Sequence, residues 1–337
     1  YKLFQQGNDD WNFKPMAYEK HKVKGLDHST ARWTVNNEFE AQPIKLRIEP
    51  LMSVKSYNDT SSVVLTDFSK PTDFINKSHA EGITGQISLS AEKVETGEQA
   101  ALFSAQNNGA SPQDGSYLNM EKTFDSLLDL SKNQALGIWV KGDGNGQLLN
   151  LSTRSPIHIS HGAHGDHFIK IDFTGWKYFE LVEIESSKIS DYIWPDDSHF
   201  YVYDSYRHSV HFGMVERMQL WYNNLEADKK VSTVLGPVKA LQMVSGFVDN
   251  PSITIGGETV VFPVRMESGM FLEYLSVNDC KLYGSKGELL TEVTPEGSIP
   301  TLTKGNNEII FSGQGPNEVN ARVQVTVISE GDPLVIK

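Results

Sequence analysis

Short stretches in which apolar and polar residues alternate recur along the whole chain, and no other feature constrains the fold as strongly. Four clear examples are residues 44–48, 85–89, 217–222 and 323–327. An alternation with a period of two is typical of a β-strand that buries one face. Turn-forming clusters rich in Gly, Asn and Asp separate such stretches, and no amphipathic helical pattern lies between them. The sequence therefore predicts an all-β protein built from β-sandwiches.

The net charge of the 337-residue chain, −13 at pH 7, disfavours several classes of partner. Binding to nucleic acid requires clustered Lys and Arg, and binding to anionic membrane surfaces requires a similar basic patch. No apolar run approaches the roughly 20 residues of a membrane-spanning helix. We therefore expect neither a nucleic-acid partner nor insertion into a membrane. The single cysteine, Cys280, lies in a strand-like segment and is predicted to be a buried apolar residue rather than a catalytic thiol.

Changes in composition divide the chain into three segments. A polar stretch at residues 58–61 precedes the first strong strand, and Pro251 ends another element near the second boundary. The predicted domains are therefore residues 1–60, 61–245 and 246–337.

The two outer segments carry different expectations. Residues 246–337 have the length and strand density of a smaller, immunoglobulin-like β-sandwich. Residues 1–60 are too few for a confident independent domain. Because the chain begins at Tyr1 without a methionine or an apolar leader, we expect a mature or trimmed chain, or a fragment of a longer one. Residues 1–60 contain Trp11, Trp33 and the strand at residues 44–48, and one interpretation is that they are the tail of a preceding domain.

The central segment contains a series of strand and turn motifs in a characteristic order. They are VVLTDF (63–68), LDLS (128–131), LGIWVKGDGNGQ (136–147), IDFTGWKYF (171–179) and GPVKAL (236–241). In this order they resemble the galactose-binding-like jelly rolls that serve as carbohydrate-binding modules in polysaccharide-degrading proteins. The resemblance covers residues 62–244 and implies a β-sandwich jelly roll that holds a glycan on a concave sheet face or with the loops at one end. The most specific motif, WVKGDG, is interpreted as a core strand ending in a tight Gly-Asp-Gly hairpin turn.

The resemblance also implies a structural calcium ion in many members, but the ligand positions fit it poorly. Asp67 matches the first position, whereas Val238 and Lys239 stand where acidic residues are expected. A hard cation needs several carboxylate or carbonyl oxygens. We therefore expect no metal and no cofactor.

Residues 191–208 form the most distinctive part of the central segment, because aromatic and polar residues are interleaved there. Aromatic rings stack on the apolar faces of pyranose rings, and charged or hydroxyl-bearing side chains bind the sugar hydroxyls. The predicted carbohydrate-binding residues are Trp194, Tyr201, Tyr203, Tyr206 and Arg207. The alternative interpretation is that these aromatic residues only fill a core.

Four histidines, at positions 158, 161, 164 and 167, recur every third residue and have Asp166 among them. Imidazole and carboxylate groups are ligands for transition metals. The spacing matches no established metal motif, and the neighbouring glycines favour a solvated loop at the rim of the sandwich. We therefore predict a loop rather than a metal site.

Sequence motifs for catalysis are scarce. The Gly-x-Ser-x-Gly, phosphate-loop and His-Glu-x-x-His patterns are absent. A hydrolase would need a pair of carboxylates, for which Glu180, Glu183 and Glu185 are available, although a solvent-facing strand explains them as well. A lyase on the jelly roll would instead use Tyr206 and His208 beside the basic Arg207. We predict no catalytic residue.

The predicted function is the non-catalytic recognition of a polysaccharide or oligosaccharide by part of a bacterial polysaccharide-processing protein that is secreted, periplasmic or attached to the cell surface. Two alternatives stay open at this point, beside a weaker third, an adhesion or assembly module that binds protein. The chain could consist of accessory β-domains that brace the catalytic domain of a large glycoside hydrolase or polysaccharide lyase, which would then be a partner within the same protein. The jelly roll could also carry lyase or hydrolase activity itself. The step from a sandwich fold to glycan binding rests on analogy.

Overall fold

The computed structural model describes residues 2–6, 10–24, 30–156, 163–185, 189, 191–193, 208–316 and 319–332. These residues form antiparallel sheets almost throughout, which confirms the all-β prediction. The chain divides into two compact units. The central unit is Tyr57–Gln242, and the outer unit combines Tyr1–Ser56 with Met243–Lys337.

Thirty-two strands are numbered in chain order in the part of the chain that the structure describes. The first seven are β1 (Lys2–Gln6), β2 (Asp10–Lys14), β3 (Met16–Lys24), β4 (Thr30–Asn37), β5 (Gln42–Pro43), β6 (Lys45–Pro50) and β7 (Ser53–Lys55). The central unit contains β8 (Val63–Thr66), β9 (Ile75–His79), β10 (Ile83–Lys93), β11 (Gln99–Asn107), β12 (Tyr117–Leu128), β13 (Ala135–Asp143), β14 (Leu148–Ser155), β15 (Ala163–Lys170), β16 (Thr174–Leu181), β17 (His208–Ser209), β18 (Val215–Asn223), β19 (Lys230–Leu235) and β20 (Val238–Leu241). The remaining strands are β21 (Met243–Val244), β22 (Phe247–Ile255), β23 (Glu258–Val261), β24 (Arg265–Glu267), β25 (Phe271–Ser276), β26 (Asp279–Tyr283), β27 (Leu289–Glu292), β28 (Glu296–Gly297), β29 (Thr301–Leu302), β30 (Gly305–Gln314), β31 (Val319–Asn320) and β32 (Arg322–Glu330). Two short 3-10 turns, Pro71–Asp73 and Phe212–Met214, interrupt the strands of the central unit.

The central unit is a sandwich of two sheets. The front sheet has the strand order β17-β15-β14-β18-β12-β9. The back sheet has the order β10-β11-β19-β13-β20-β8, with β16 paired to β13. Side chains from both sheets form one apolar core. The two outer faces of the sandwich therefore point away from each other.

Strand β18 illustrates how the sequence alternation produces this packing. Its even-numbered residues Met218, Leu220 and Tyr222 are completely buried in the core. The ring of Tyr222 stacks on Phe103 of the back sheet, with 4.0 Å between the ring centres, and its hydroxyl donates to the Phe103 carbonyl oxygen at 3.1 Å. A buried Tyr needs such a partner, so the pair fixes the two sheets to each other.

The prediction of a hairpin at the WVKGDG motif is wrong. Strand β13 belongs to the back sheet, whereas β14, which follows the turn, pairs with β15 and β18 in the front sheet. The turn therefore carries the chain from one sheet to the other. Its glycines Gly144 and Gly146 have φ values of +77° and +83°, which few other residues adopt.

The outer unit also contains two packed six-stranded sheets, with the orders β28-β23-β22-β30-β4 (with β24 on β22) and β27-β26-β25-β6-β32-β3. Cys280 is buried in their common core, as predicted, and burial raises the pKa of its thiol to about 12. The Gly256–Gly257 turn joins β22 to β23 with both φ values positive, which is the backbone of a two-residue hairpin turn.

The first 56 residues are part of the outer unit rather than a separate segment. Strand β6 lies between β25 and β32, β3 pairs with β32, and β4 pairs with β30. This organisation differs from the predicted division at residues 60 and 245, because the pairing joins the two ends of the chain. No helix in the described part of the chain is both long and apolar enough to cross a membrane.

Candidate functional site

The predicted carbohydrate-binding residues Trp194, Tyr201, Tyr203, Tyr206 and Arg207 lie outside the described residues. Residues 191–193, at the start of the segment that contains them, are described and form hydrogen bonds with Asn224, which follows β18. Asn224 donates to the Asp191 carbonyl oxygen at 2.6 Å and accepts from the Ile193 amide at 3.0 Å. Lys170 of the front sheet lies 3.7 Å from the Asp191 carboxylate.

The outer face of the front sheet, here called the polar face, has a composition unlike that of a solvent-exposed surface. The strand register places on it Asn119 and Glu121 of β12, Asn150, Ser152 and Arg154 of β14, His164, Asp166 and Phe168 of β15, and Arg217, Gln219, Trp221 and Asn223 of β18. Most of these side chains are buried, with Ser152 1%, Glu121 4% and Gln219 5% exposed. Trp221, Arg217 and Arg154 are partly exposed. Because burying unpaired polar groups costs free energy, this face must be highly organised.

A chain of hydrogen bonds holds Trp221 in one orientation. Its indole Nε1 donates to Gln219 Oε1 at 3.1 Å, and Gln219 Nε2 donates to Glu121 Oε2 at 2.6 Å. The Glu121 carboxylate lies 3.6 Å from the Arg217 guanidinium and 3.4 Å from the Lys77 ammonium. Two cations thus compensate the buried carboxylate, and the Trp221 ring is fixed through Gln219.

A second set of bonds is centred on Asp166. Its carboxylate accepts from Asn150 Nδ2 at 3.1 Å and lies 2.6 Å from His164 Nδ1. Asn150 Oδ1 in turn accepts from the His167 amide at 3.1 Å. These bonds join β14 to β15 on the polar face.

The prediction of a solvated histidine loop is wrong for His164 and His167. Both lie in β15 and are buried. His167 points into the sandwich, where burial lowers the pKa of its imidazole to about 4. His158 and His161 lie outside the described residues.

On the polar face, Asn119 Oδ1, beside Trp221 in the register, and Ser152 Oγ, beside Gln219, have no hydrogen-bond partner in the described part of the chain. A buried polar group without a partner costs about 1–3 kcal/mol. Both atoms are shielded from solvent by their neighbours, so a ligand would contact them only if those neighbouring side chains moved.

Aromatic rings gather at the β18 end of the polar face. Tyr117 contacts Trp221 with 5.6 Å between the ring centres. Tyr192 hydrogen-bonds the Asn223 side chain, and burial raises the pKa of its hydroxyl. The face thus combines rings that offer an apolar surface with fixed hydrogen-bonding groups, which is the chemistry of a sugar site.

The described residues contain no group of three or more His, Cys, Asp or Glu side chains placed to hold a metal ion. Asp67, the candidate calcium ligand, accepts from the Ser69 amide at 2.9 Å, and this bond lowers the pKa of the Asp67 carboxyl. Lys239 places its ammonium 2.9 Å from Glu98. At positions 238 and 239, where the resemblance implies an acidic pair, the chain thus has an aliphatic and a cationic side chain.

Only one of the three candidate catalytic carboxylates lies in a strand. Glu180 lies in β16, and Glu183 and Glu185 follow that strand. The backbone of Glu185, with φ of +56°, donates its amide to the Asp166 carbonyl oxygen at 2.5 Å. His208, the described member of the candidate lyase triplet, is exposed in β17.

Sequence reasoning missed the polar face, although a signal for it was present. In β18 the outward positions read Arg217, Gln219, Trp221 and Asn223, and a tryptophan among polar outward residues is unusual for a solvated strand. Equivalent polar positions recur in β12, β14 and β15.

Comparison with known proteins gives this region a function class. Residues 58–221 match the family model described as a carbohydrate-binding domain of family 11. The match covers a little under half of the chain and contains the whole of β8–β17 and most of β18. The region has a carbohydrate-binding role of the kind found in polysaccharide-degrading proteins.

Individual proteins are similar to this chain only over a short segment or at low sequence identity. A mannan endo-1,4-β-mannosidase of Bifidobacterium adolescentis is 31% identical over 84 residues, which is 25% of this chain and 8% of that enzyme. A family 11 carbohydrate-binding module from Clostridium thermocellum, solved with a β-1,3-1,4-mixed-linked tetrasaccharide, is 17% identical, with a TM-score of 0.37 over 54% of this chain and 95% of that module. An exo-β-agarase is 11% identical, with a TM-score of 0.32 over 55% of this chain and 25% of that enzyme.

Proposed function

We propose that the carbohydrate-binding region holds a polysaccharide chain on the polar face of the front sheet and does not cleave it. The observation that carries this proposal is the fixed orientation of Trp221 on a face of buried hydrogen-bonding groups. A ring that is already oriented loses little conformational entropy when a sugar stacks on it.

The polar residues of the face are arranged to support such contacts. Asn119 and Ser152 add buried side-chain oxygen atoms to the face. Arg217 is partly exposed beside them and is held by Glu216 at 2.8 Å. Sugar hydroxyls form bonds with such groups in exchange for bonds with water, which gives orientation and specificity more than affinity.

The positions of the two buried carboxylates argue against hydrolysis on this face. Glu121 and Asp166 lie in the same register row, separated by Gln219 and Ser152 on the two strands between them. Three strand spacings of about 4.8 Å place them roughly 14 Å apart. Glycoside hydrolases hold their two carboxyl groups about 5–10 Å apart.

Trp194, Tyr201, Tyr203, Tyr206 and Arg207 belong to the proposal as further sugar contacts. Their support is the attachment of Asp191 and Ile193 to Asn224, next to the aromatic end of the polar face. Their residue types, aromatic side chains and an arginine, are those of Trp221 and Arg217.

For the outer unit we propose an immunoglobulin-like scaffold that accompanies the binding region within a longer polysaccharide-degrading protein. The short similarity to a mannosidase that is much longer than this chain supports the longer protein. Because polysaccharides are too large to enter cells, such a protein would be secreted, periplasmic or attached to the cell surface.

Affinity electrophoresis in gels containing mixed-linked β-1,3-1,4-glucan, glucomannan, mannan, xylan or agarose tests the binding proposal. We expect the wild-type chain to be retarded by at least one polymer, and Trp221→Ala and Trp194→Ala to lose most of this retardation. Tyr18→Ala is the matched control, because Tyr18 is 46% exposed and belongs to the outer unit.

Reducing-end release and unsaturated-product absorbance are measured on the same polymers. We expect neither signal from the wild-type chain. Turnover that disappears in Tyr206→Phe or His208→Ala would replace the binding proposal with the lyase alternative. Retention that is unchanged in Trp221→Ala would show that the polar face is not the site.

A further inference from the structure

The outer face of the back sheet carries an aromatic cluster that the proposed binding site does not use. Trp176 and Tyr178 of β16 point outward beside Lys141 and Trp139 of β13. All three aromatic residues are only partly buried, and none belongs to the main core. Strand β16 pairs only with β13 among the described strands, so this cluster, here called the aromatic face, lies at the edge of the sheet.

The tryptophan rings of the aromatic face pack against apolar side chains of the same sheet and of the turn beside it. Trp139 and Trp176 pack on a small apolar patch formed by Val94, Ala100 and Val234. The ring centres of Trp139 and Tyr178 are 5.3 Å apart. The patch therefore supports the rings without covering them.

A glycine makes room for the Tyr178 side chain. Gly137 lies two residues before Trp139 in β13, and a Cβ atom there would approach the Tyr178 hydroxyl at 3.0 Å and the Tyr57 ring at 2.9 Å. Tyr57 meets Tyr178 edge-on at 5.6 Å. The aromatic face is thus a specific arrangement of rings rather than a loose surface cluster.

Charged groups border the rings closely. Lys141 forms an ion pair of 2.5 Å with Glu92, and Lys239 lies 2.9 Å from Glu98 and 3.8 Å from the centre of the Tyr57 ring. Charged residues are depleted at the centre of protein–protein interfaces. Rings bordered by ammonium and carboxylate groups match a ligand that is apolar on its ring faces and rich in hydroxyl groups at its edges, which is a sugar.

We infer that the aromatic face, formed by Trp139, Trp176 and Tyr178, is a second glycan-contact surface on the side of the sandwich opposite the polar face. The inference rests on the proposed function, because it assigns the same class of ligand to both faces. Since the two faces point away from each other, one molecule binds two polysaccharide chains or two segments of one chain. Binding to a polymer is then bivalent and exceeds the affinity of either face alone.

The test compares four proteins in affinity electrophoresis and in a turbidity assay with mixed-linked β-1,3-1,4-glucan, glucomannan and agarose. They are the wild-type chain, Trp221→Ala, Trp176→Ala and the double variant. Lys177→Ala is the matched control, since Lys177 lies between Trp176 and Tyr178 but on the opposite side of β16. We expect wild-type protein to cross-link the polymer it binds, and Trp176→Ala to abolish cross-linking and lower the affinity for polymer about tenfold or more.

Radical footprinting of the wild-type chain with the same polymers tests the inference without requiring that any variant folds correctly. We expect the polymer that is bound to protect both Trp176 and Trp221 from oxidation. Unchanged oxidation of Trp176, or full cross-linking by Trp176→Ala, would overturn the inference and leave the proposed function standing. Loss of binding in Trp176→Ala with none in Trp221→Ala would support the aromatic face and overturn the polar face. No retention of the wild-type chain by any polymer would overturn both.

Discussion

At the scale of single residues, Glu121 connects the electrostatics of the polar face to its aromatic ring. The carboxylate is 4% exposed and accepts a hydrogen bond from Gln219 Nε2, and Gln219 Oε1 in turn accepts one from the Trp221 indole Nε1. Removing its charge leaves Arg217 and Lys77 without their shared counter-ion. The order of the ring therefore depends on a carboxylate that is too deeply buried to be a major sugar contact itself.

Glu121→Gln is expected to weaken polysaccharide binding about tenfold and also to lower the free energy of unfolding of the central unit, because a buried charge with two cationic partners is lost. A hydrogen bond to a charged group contributes about 1.5–3 kcal/mol, and 1.4 kcal/mol corresponds to a factor of ten. Affinity electrophoresis measures the effect. Asp125→Ala, an exposed position on the same strand, is the control. Equal binding by Glu121→Gln and wild type would show that Trp221 keeps its orientation without this bond.

His167 makes the stability of the central unit depend on pH. Burial lowers the pKa of its imidazole from about 6.5 to about 4 in the folded chain. Between these values the unfolded chain binds a proton and the folded chain does not, so stability falls as the pH falls through this window. Below pH 4 this group causes no further change. A shift of this size corresponds to about 3 kcal/mol.

Urea unfolding at pH 7.5, 6, 5 and 4 tests this dependence. We expect the wild-type free energy of unfolding to decrease across the series and His167→Asn to decrease less steeply. His21, whose pKa burial also lowers, contributes in the same direction in both proteins and cancels in the comparison. Parallel curves for the two proteins would contradict the assignment.

At the scale of elements, the link from β13 to β14 depends on one side chain. The Asp143 carboxylate accepts from the Ser232 amide at 2.6 Å, from Gln147 Nε2 at 3.0 Å and from the Asn145 side chain at 2.8 Å. Ser232 belongs to the back sheet, and Gln147 immediately precedes the front sheet. Asp143 therefore joins the crossing turn to both sheets.

Asp143→Ala is expected to lower the free energy of unfolding of the central unit by about 2–3 kcal/mol, because several bonds to a charged acceptor are lost together. Asp143→Asn keeps one acceptor oxygen and should lose less. Chemical denaturation measures both, with Asp125→Ala expected within about 0.5 kcal/mol of wild type. A loss below 1 kcal/mol in Asp143→Ala would show that the glycines alone determine the turn.

The sequence predicts which segments form β-strands, but it does not predict to which of the two sheets each strand belongs. The alternation in β18 correctly predicts a strand with one buried face, because inward and outward positions are fixed by the backbone period. The Gly-Asp-Gly cluster predicts a turn but cannot specify whether the next strand pairs with the same sheet. That depends on β16 and β20 occupying the positions beside β13.

The polar face shows a further limit of the alternation. In β15 nearly every residue is buried, so polar residues such as His164 and Asp166 break the expected pattern of a half-buried strand. The neighbouring glycines predict a loop here, whereas the structure has a strand that is buried on both faces, one of which is polar. Only the register with β14, which brings Asn150 to Asp166, explains why these side chains belong together.

At the scale of the whole molecule, the outer unit depends on pairing between the two ends of the chain. Strand β6 lies between β25 and β32 and so occupies the interior of its sheet. The segment supplies four buried aliphatic side chains to the common core, namely Val35, Ile44, Leu46 and Ile48. Such long-range pairing leaves no local signal, which is why composition alone divided the chain at residue 60.

Deleting residues 1–56 is therefore expected to unfold the rest of the outer unit while the central unit stays folded. Burial of the four aliphatic side chains contributes roughly 6–12 kcal/mol, which is comparable with the 5–15 kcal/mol stability of a whole domain. Limited proteolysis with mass spectrometry measures this directly. Residues 243–337 should be cleaved rapidly in the shortened chain and resist cleavage in the full chain.

Deletion of residues 1–56 also tests whether the central unit or the outer unit binds the polysaccharide. If the polar face and the aromatic face carry glycan binding, the shortened chain keeps its retardation in polysaccharide gels, because every residue of both faces lies within Tyr57–Gln242. Loss of retardation with an intact central unit would instead assign the binding residues to the outer unit. Protection of residues 243–337 in the shortened chain would show that β22–β32 fold without β3, β4 and β6, and that the N-terminal strands are additions to an independent sandwich.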